Sequence, residues 1–376
     1  YAESGGQVGD TGVLTGADGV VRVHDTTYAL PGLVVHHGTV ERGRLATGET
    51  VVAAIDGARR DRIRRNHTAT HLLHWALREV LGTDVKQAGS LVAPDRLRFD
   101  FSHERAVTPD ELDEVEALAN AEVITDAPVR HYETTKDHAD SLGAVAFFGD
   151  KYGDLVRVLE AGEHSLELCG GTHVHALGFI GPIKIVSEAS VGANLRRIEA
   201  LTGEDALRYV RDEEHTLRAA AGALRVKPDE LPTRVERLRD EVKALQGELS
   251  AQRAKQAVAD AGQLAATAVD GVVVARRDGL STDALRQLAL AVRDALGDGI
   301  VGLVGADGAS ASVVVAVSRG LVDAGVKASE LAAPAAKLLG GGTSKGADIA
   351  VGGGKYPEAL DGAEAALQDA ARAARA

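Results

Sequence analysis

Short alternations of apolar and polar residues, broken at short intervals by glycine, fill the first 57 positions, as in Gly19–Val23 and Leu33–Val40. Period-two runs with turn residues between them predict a small β-barrel or sandwich. From Arg59 to about Val80 the period becomes helical. Leu72, Leu73, Ala76 and Val80 supply one apolar face, and Asn66 or Thr68 is placed to cap the start. Up to about Ala200, strands at Leu97–Phe101, Leu155–Leu159 and Ile180–Val186 accompany a helix near Pro109–Val123, which predicts an α+β domain.

The texture changes at Gly203. Leu207, Val210, Leu217, Ala221 and Leu224 recur at three- and four-residue spacing, and Val235, Leu238, Val242, Leu245 and Leu249 repeat the pattern after Pro228 and Pro232. Two heptad segments around a proline-bearing turn predict an antiparallel helical hairpin, either a spacer arm or a dimerisation element. From about Ala268, buried-strand patterns at Gly271–Ala275, Ile300–Val304 and Ser312–Val317 alternate with helices at Thr282–Leu296 and Lys327–Leu339. This predicts a compact α/β domain ending in a glycine-rich loop, at Gly340–Gly346 and Gly352–Lys355, before an alanine-rich helix. The expected chain is an α+β multidomain protein divided at residues 1–57, 58–202, 203–262 and 263–376.

Composition narrows the class. With 45% hydrophobic and 26% charged residues the chain is globular in type, and no apolar run approaches the roughly 18–20 residues of a membrane span. No secretory leader pattern opens it, and its single cysteine fits a reducing compartment, so cytoplasm is expected. The absence of any methionine suggests a piece of a longer protein. A net charge of −13 argues against indiscriminate nucleic-acid binding, yet Arg59, Arg60, Arg62, Arg64 and Arg65 form a local basic run. Such a run also suits a solvated helix face.

Two half-sites carry the chemistry. His67-Thr-Ala-Thr-His71 puts two imidazoles on one helix face, about 5–6 Å apart at Cβ, which suits joint ligation of a metal. Cys169-Gly-Gly-Thr-His173 sets the only cysteine four residues before a histidine, across glycines that allow a tight turn. Alone, either could be packing. Together they make a Cys-His-His-His set soft enough for Zn²⁺.

His67-Thr-Ala-Thr-His71-Leu-Leu-His, Gln87-Ala-Gly-Ser90-Leu-Val, Leu97-Arg-Phe-Asp-Phe-Ser-His103 and Cys169-Gly-Gly-Thr-His173-Val resemble the editing domain of alanyl-tRNA synthetases. The opening Tyr1-Ala-Glu-Ser-Gly-Gly-Gln-Val-Gly-Asp10 is similar to a stretch shared with freestanding AlaX editing proteins. The hairpin and the glycine-rich last domain resemble the family's DHHA1-like tRNA-binding module. No stretch resembles the class II catalytic motifs, so the chain is not expected to charge tRNA.

The resemblance implies zinc held by His67, His71, Cys169 and His173, with Thr70, Gln87 and Ser90 in the pocket. Cys169 counts with these as catalytic. It implies hydrolysis of Ser-tRNA(Ala) and Gly-tRNA(Ala). Buried polar groups that pair with a serine hydroxyl are left unpaired by alanine, which gives discrimination. Four protein ligands would close a zinc shell, so either one is displaced or the metal organises the pocket while another group handles water. Gly5, Gly6 and Gln7 either admit the terminal adenosine or make a barrel turn. Arg64, Arg65, Arg196 and Arg197 are expected at the acceptor end, and Lys345 and Lys355 on RNA backbone. Asp100 fits a half-buried strand better, and His103 is a weaker candidate than the fourfold set; His74, His131, His138, His164 and His175 are expected to be non-ligands. Expected partners are mischarged tRNA(Ala), an N-terminal aminoacylation domain and, through the C-terminal region, a second copy. The rival readings are a zinc-containing tRNA-binding module without turnover and a hydrolase of a small molecule. Gly340–Gly346 lacks the ending of a phosphate-binding P-loop, so no nucleotide cofactor is expected.

Overall fold

A computed structural model describes residues 1–146 and 153–375. The chain divides into two units, Tyr1–Ala220 and Ala221–Ala376.

The first unit opens with β1 (Gly12–Thr15), β2 (Gly19–Leu30), β3 (Leu33–Gly43) and β4 (Val52–Ile55), an antiparallel sheet in the order β3-β2-β1-β4. It has two edges, β3 and β4, where the glycine-punctuated pattern predicts a small barrel or sandwich. Its strands bury little beyond Val23 and Thr26, so the alternation recorded a one-sided sheet without a closed interior.

Helix α1 (Gly57–Leu81) starts at Asp56, whose carboxylate accepts from the Arg59 amide, and ends at Gly82 with φ +107°. Asn66 and Thr68, expected as caps, sit in mid-helix and are buried. Tertiary partners take their polar groups. Asn66 Nδ2 donates to Ala93 O at 2.7 Å, Thr202 Oγ1 donates to Asn66 Oδ1 at 2.7 Å, and Thr68 Oγ1 donates to Arg64 O at 2.8 Å.

Strands β5 (Gln87–Val92) and β6 (Leu97–Ser102) follow, then helix α2 (Pro109–Ile124), which Thr108 and Glu111 begin with a reciprocal capping box. Next come β7 (Val129–Thr135), α3 (Lys136–Ser141), β8 (Leu155–Ala161), β9 (Ser165–Leu168), β10 (Ile183–Gly192), β11 (Leu195–Thr202) and α4 (Gly203–Ala223). Ile180, read as strand, ends a single 3₁₀ turn. The sheet β10-β11-β6-β5 is antiparallel, and β6 alternates strictly. Leu97, Phe99 and Phe101 are fully buried, whereas Arg98, Asp100 and Ser102 stay partly exposed. Those apolar side chains meet Leu72, Leu73, Ala76 and Leu77 of α1 and Val115 and Ala119 of α2 in one core. Each large side chain buried there contributes about 1.5–3 kcal/mol. The third sheet, β7-β8-β9, buries Val156, Val158 and Leu168 in a separate small cluster.

The second unit contains α5 (Leu231–Ala259), α6 (Ala261–Ala265), β12 (Val272–Arg276), α7 (Thr282–Leu296), β13 (Ile300–Asp307), β14 (Ser310–Val317), α8 (Arg319–Asp323), α9 (Ala328–Leu338), β15 (Ile349–Gly354) and α10 (Leu360–Ala373). On α5, Val235, Val242, Leu245 and Leu249 are exposed. The sheet order is β12-β13-β14-β15. Only β12 and β13 run parallel, so the α/β reading holds for that crossover and the rest is antiparallel. Period-two alternation sends Val301, Leu303, Val314 and Ala316 to α7, and Ile300, Val304, Val313 and Val315 to α9 and α10. The second glycine run, read as loop, is strand β15. A Cβ on Gly354 would fall 1.7 Å from Leu339 O, and one on Gly341 would fall 1.8 Å from Gly353 O. Glycine is needed because the two backbones touch.

Candidate metal centre

Spacing on α1 puts His67 and His71 one turn apart, with ring centroids 5.3 Å apart. The loop after β9 brings Cys169 and His173 to them. One ligating atom from each of the four residues lies within 4.8 Å of the others. His67 Nε2 is 3.5 Å and His173 Nε2 3.3 Å from Cys169 Sγ.

The three imidazoles are held from behind. His67 Nδ1 donates to Gln7 Oε1 at 2.8 Å, and His71 Nδ1 donates to Glu167 Oε2. His173 Nδ1 lies 3.3 Å from Thr68 Oγ1, whose own proton goes to Arg64 O. These bonds place a proton on Nδ1 of His67 and His71 and turn each Nε2 toward the group, where it could ligate a metal. A thiolate and three imidazoles so arranged fit Zn²⁺, which takes nitrogen and sulfur donors in tetrahedral sites.

Electrostatics favour part of this assignment. Burial opposes a charge on His71, but Glu167 and Cys169 push it up to about 10, so its Nε2 would have to give up a proton to a metal. Burial opposes ionisation of Cys169, but His67, His173 and His71 outweigh it and hold the thiol well below its ordinary range. Burial and the neighbouring His67 push His173 down to about 3, so it is a neutral donor. Burial would also raise Glu167, yet His71 and His74 pull it down to about 2 and keep it a carboxylate.

The centre opens on a cavity of about 610 Å³ lined also by Gly5, Gly6, Thr70, Gln87, Ser90 and Arg157. Thr70 Oγ1 donates to Asn66 O at 2.8 Å, which leaves its oxygen as an acceptor. Gln87 Nε2 lies 3.3 Å from Ser90 Oγ. Residues 6–8 pair with the end of β5 through Val92 N to Gly6 O and Val8 N to Val92 O. Gly6 takes φ +82°, and a Cβ there would fall 2.2 Å from Ser90 Oγ, so the approach of these two segments requires glycine.

Of the residues expected on RNA, Gly5 and Gly6 line this cavity, while the others lie elsewhere or are engaged. Gln7 is fully buried, its Oε1 accepting also from Thr172 N at 2.9 Å, so its side chain supports the centre and offers no surface contact. Arg196 is forked onto Glu188 at 2.5 and 2.7 Å, and Arg197 onto Asp100 at 2.6 and 2.8 Å. Arg64 pairs with Asp61 at 2.8 Å, and Arg65 is half-buried. Lys345 and Lys355 are exposed in the second unit. His74, His131, His138, His164, His175 and His103 fall outside the four-residue group.

Sequence reasoning missed Glu167, Thr68 and Arg157. Arg157 Nη1 donates to Cys169 O at 3.1 Å and Gly171 O at 2.6 Å, clamping the turn that carries two of the candidate donors. Glu167 left a faint signal as a charge between two leucines in a short strand ahead of Cys169. Thr68 and Arg157 left none.

Residues 156–199 match the family described as "Threonyl and Alanyl tRNA synthetase second additional domain", and residues 1–59 match "tRNA synthetases class II (A)". The second match falls on the opening sheet, which carries no class II catalytic motif recognisable in the sequence. Alanine–tRNA ligase of Acidothermus cellulolyticus is 47% identical over 380 residues, covering 99% of this chain and 43% of that protein. The enzyme of Acetivibrio thermocellus is 45% identical over 365 residues, covering 96% and 42%. The crystal structure of the C-Ala domain from Aquifex aeolicus alanyl-tRNA synthetase is 28% identical, covering 27% of this chain and 89% of its own, with a TM-score of 0.25. Our chain thus spans about two-fifths of the length of the curated relatives it matches. Among the described residues no helix is long and apolar enough to cross a membrane. Over nearly its whole length, the chain is homologous to a part of the alanyl-tRNA synthetases.

Proposed function

We propose that this chain hydrolyses the ester of tRNA(Ala) mischarged with serine or glycine, as the zinc-dependent editing part of a cytoplasmic alanine–tRNA ligase. The observation that carries this reading is the meeting of His67, His71, Cys169 and His173 beside a cavity that also holds Thr70, Gln87 and Ser90. A volume of about 610 Å³ suits a nucleoside-sized ligand carrying an amino acid.

Bound zinc would supply Lewis acidity in the pocket if one of the four side chains gave up its place, since four protein ligands close a tetrahedral shell. The protein does the selecting. Thr70 Oγ1, its proton committed to Asn66 O, accepts from a serine hydroxyl, and alanine leaves it unpaired. Gln87 and Ser90 line the same cavity, and the backbone at Gly5 and Gly6 admits the terminal adenosine. Cys169, His67, His71 and His173 hold the metal, and Arg157 keeps their turn closed. Arg64 and Arg65 meet the acceptor end, while Lys345 and Lys355 meet RNA backbone elsewhere. A second copy would pack on the exposed apolar positions of α5, and the aminoacylation domain of the parent ligase is the remaining partner.

Deacylation of serine-charged against alanine-charged tRNA(Ala) tests the reading. Serine release with alanine spared, lost in Cys169→Ala while tRNA binding persists, is the expected result. The complete four-donor set also favours a zinc-containing tRNA-binding module without turnover. Zinc and tRNA retained with no serine release would select that alternative.

A further inference from the structure

Behind the four donors, the carboxylate of Glu167 is 3% exposed and spans two histidines of α1. One oxygen accepts from His71 Nδ1, and the other from His74 Nδ1 at 2.8 Å. The local fold explains how it gets there. β9 alternates, so Leu166 and Leu168 pack against the small cluster of β8 while Glu167 turns to α1. His74 is buried too, its ring 5.3 Å from that of Phe99.

We propose that Glu167 is a positioning residue for metal binding: it fixes His71 with Nε2 toward the centre, and His74 locks the carboxylate in that pose. The inference rests on the metal reading of the centre, and is independent of whether the chain hydrolyses anything.

Two arguments support it. His67 and His173 are backed by the neutral Gln7 and Thr68, whereas His71 alone of the three is backed by a charge. A buried carboxylate is costly unless its charge is compensated. His74, at i+3 from His71 on the same helix, occupies the second oxygen, so the carboxylate cannot rotate away without losing a hydrogen bond.

The test is zinc affinity by competition with a chromophoric chelator, together with the visible spectrum of the cobalt(II)-loaded protein, for wild type, Glu167→Gln and His74→Phe. Glu167→Gln should weaken zinc binding roughly 10- to 100-fold and alter the cobalt bands, because one histidine loses its orientation. His74→Phe keeps the carboxylate and should give a smaller loss, which preserves the test if Glu167→Gln fails to fold. Wild-type affinity and an unchanged cobalt spectrum in folded variants would overturn the positioning role. A wild-type chain that binds no zinc would overturn both this inference and the metal reading beneath it.

Discussion

Gly171 abuts the imidazole of His67: a Cβ built on Gly171 would fall 2.0 Å from His67 Cε1 and 2.4 Å from Nδ1. The second half-site can therefore close on the first only through a residue without a side chain. The two glycines of Cys169-Gly-Gly-Thr-His173 are not equivalent, since a Cβ on Gly170 would meet nothing within 4 Å.

Gly171→Ala should push the His67 ring out of register, while Gly170→Ala leaves it in place. Zinc affinity is expected to fall roughly 10- to 100-fold in the first variant, the range for disturbed ligand orientation, and to stay near wild type in the second. Competition titration measures both. Equal affinities would show that the turn yields to the added carbon.

Removal of the metal should loosen the first unit. An ion held by side chains of α1 and of the loop after β9 would join the two, so its binding energy would add to stability. At free zinc a thousandfold above Kd the gain is about 4.1 kcal/mol. A chelator should lower the unfolding temperature, and added zinc should restore it. A melting curve indifferent to zinc would separate the four side chains from any metal.

Thr70→Val keeps the shape of the cavity wall and removes its acceptor. Serine release should slow by about tenfold relative to alanine release, the worth of one hydrogen bond of about 1.4 kcal/mol. The ratio of the two deacylation rates checks this, and an unchanged ratio would move serine selection to Gln87 or Ser90.

Arg64→Glu with Arg65→Glu should weaken tRNA binding and lower the slope of log affinity against log salt by roughly 1.5–2, as two phosphate contacts are lost. Arg196→Gln should change the slope less, because Glu188 already holds that guanidinium in a fork at 2.5 and 2.7 Å. A slope unchanged in the double variant would take Arg64 and Arg65 off the interface.

How much was legible varies with the range of the interactions. Helix α7 runs over Thr282–Leu296 as its periodicity predicted, because its signals lie within its own turns, from the Ser281 cap to Gly297 with φ +80°. The helical period from Arg59 falls within two residues of the observed start of α1 at Gly57, but its cap was misplaced. Asn66 and Thr68 have cap chemistry, but partners at Ala93 and Thr202 claim Asn66, and the bond from Val174 N claims Thr68. The glycines of β15 read as loop because nothing local records the approach of Leu339.

The chain's own order of residues determined the donors: a helix repeat sets His67 beside His71, and a four-residue turn sets Cys169 beside His173. Both are local geometry, carried by bonds and dihedrals. Only tertiary structure decided that the two pairs meet, across 102 residues between His67 and Cys169. It also decided which groups stand behind them. Glu167 reaches His71 across 96 residues and Gln7 reaches His67 across 60. Such partners are chosen by where sheets and helices pack, and packing sums many small contacts over the whole unit, so no window of sequence contains them.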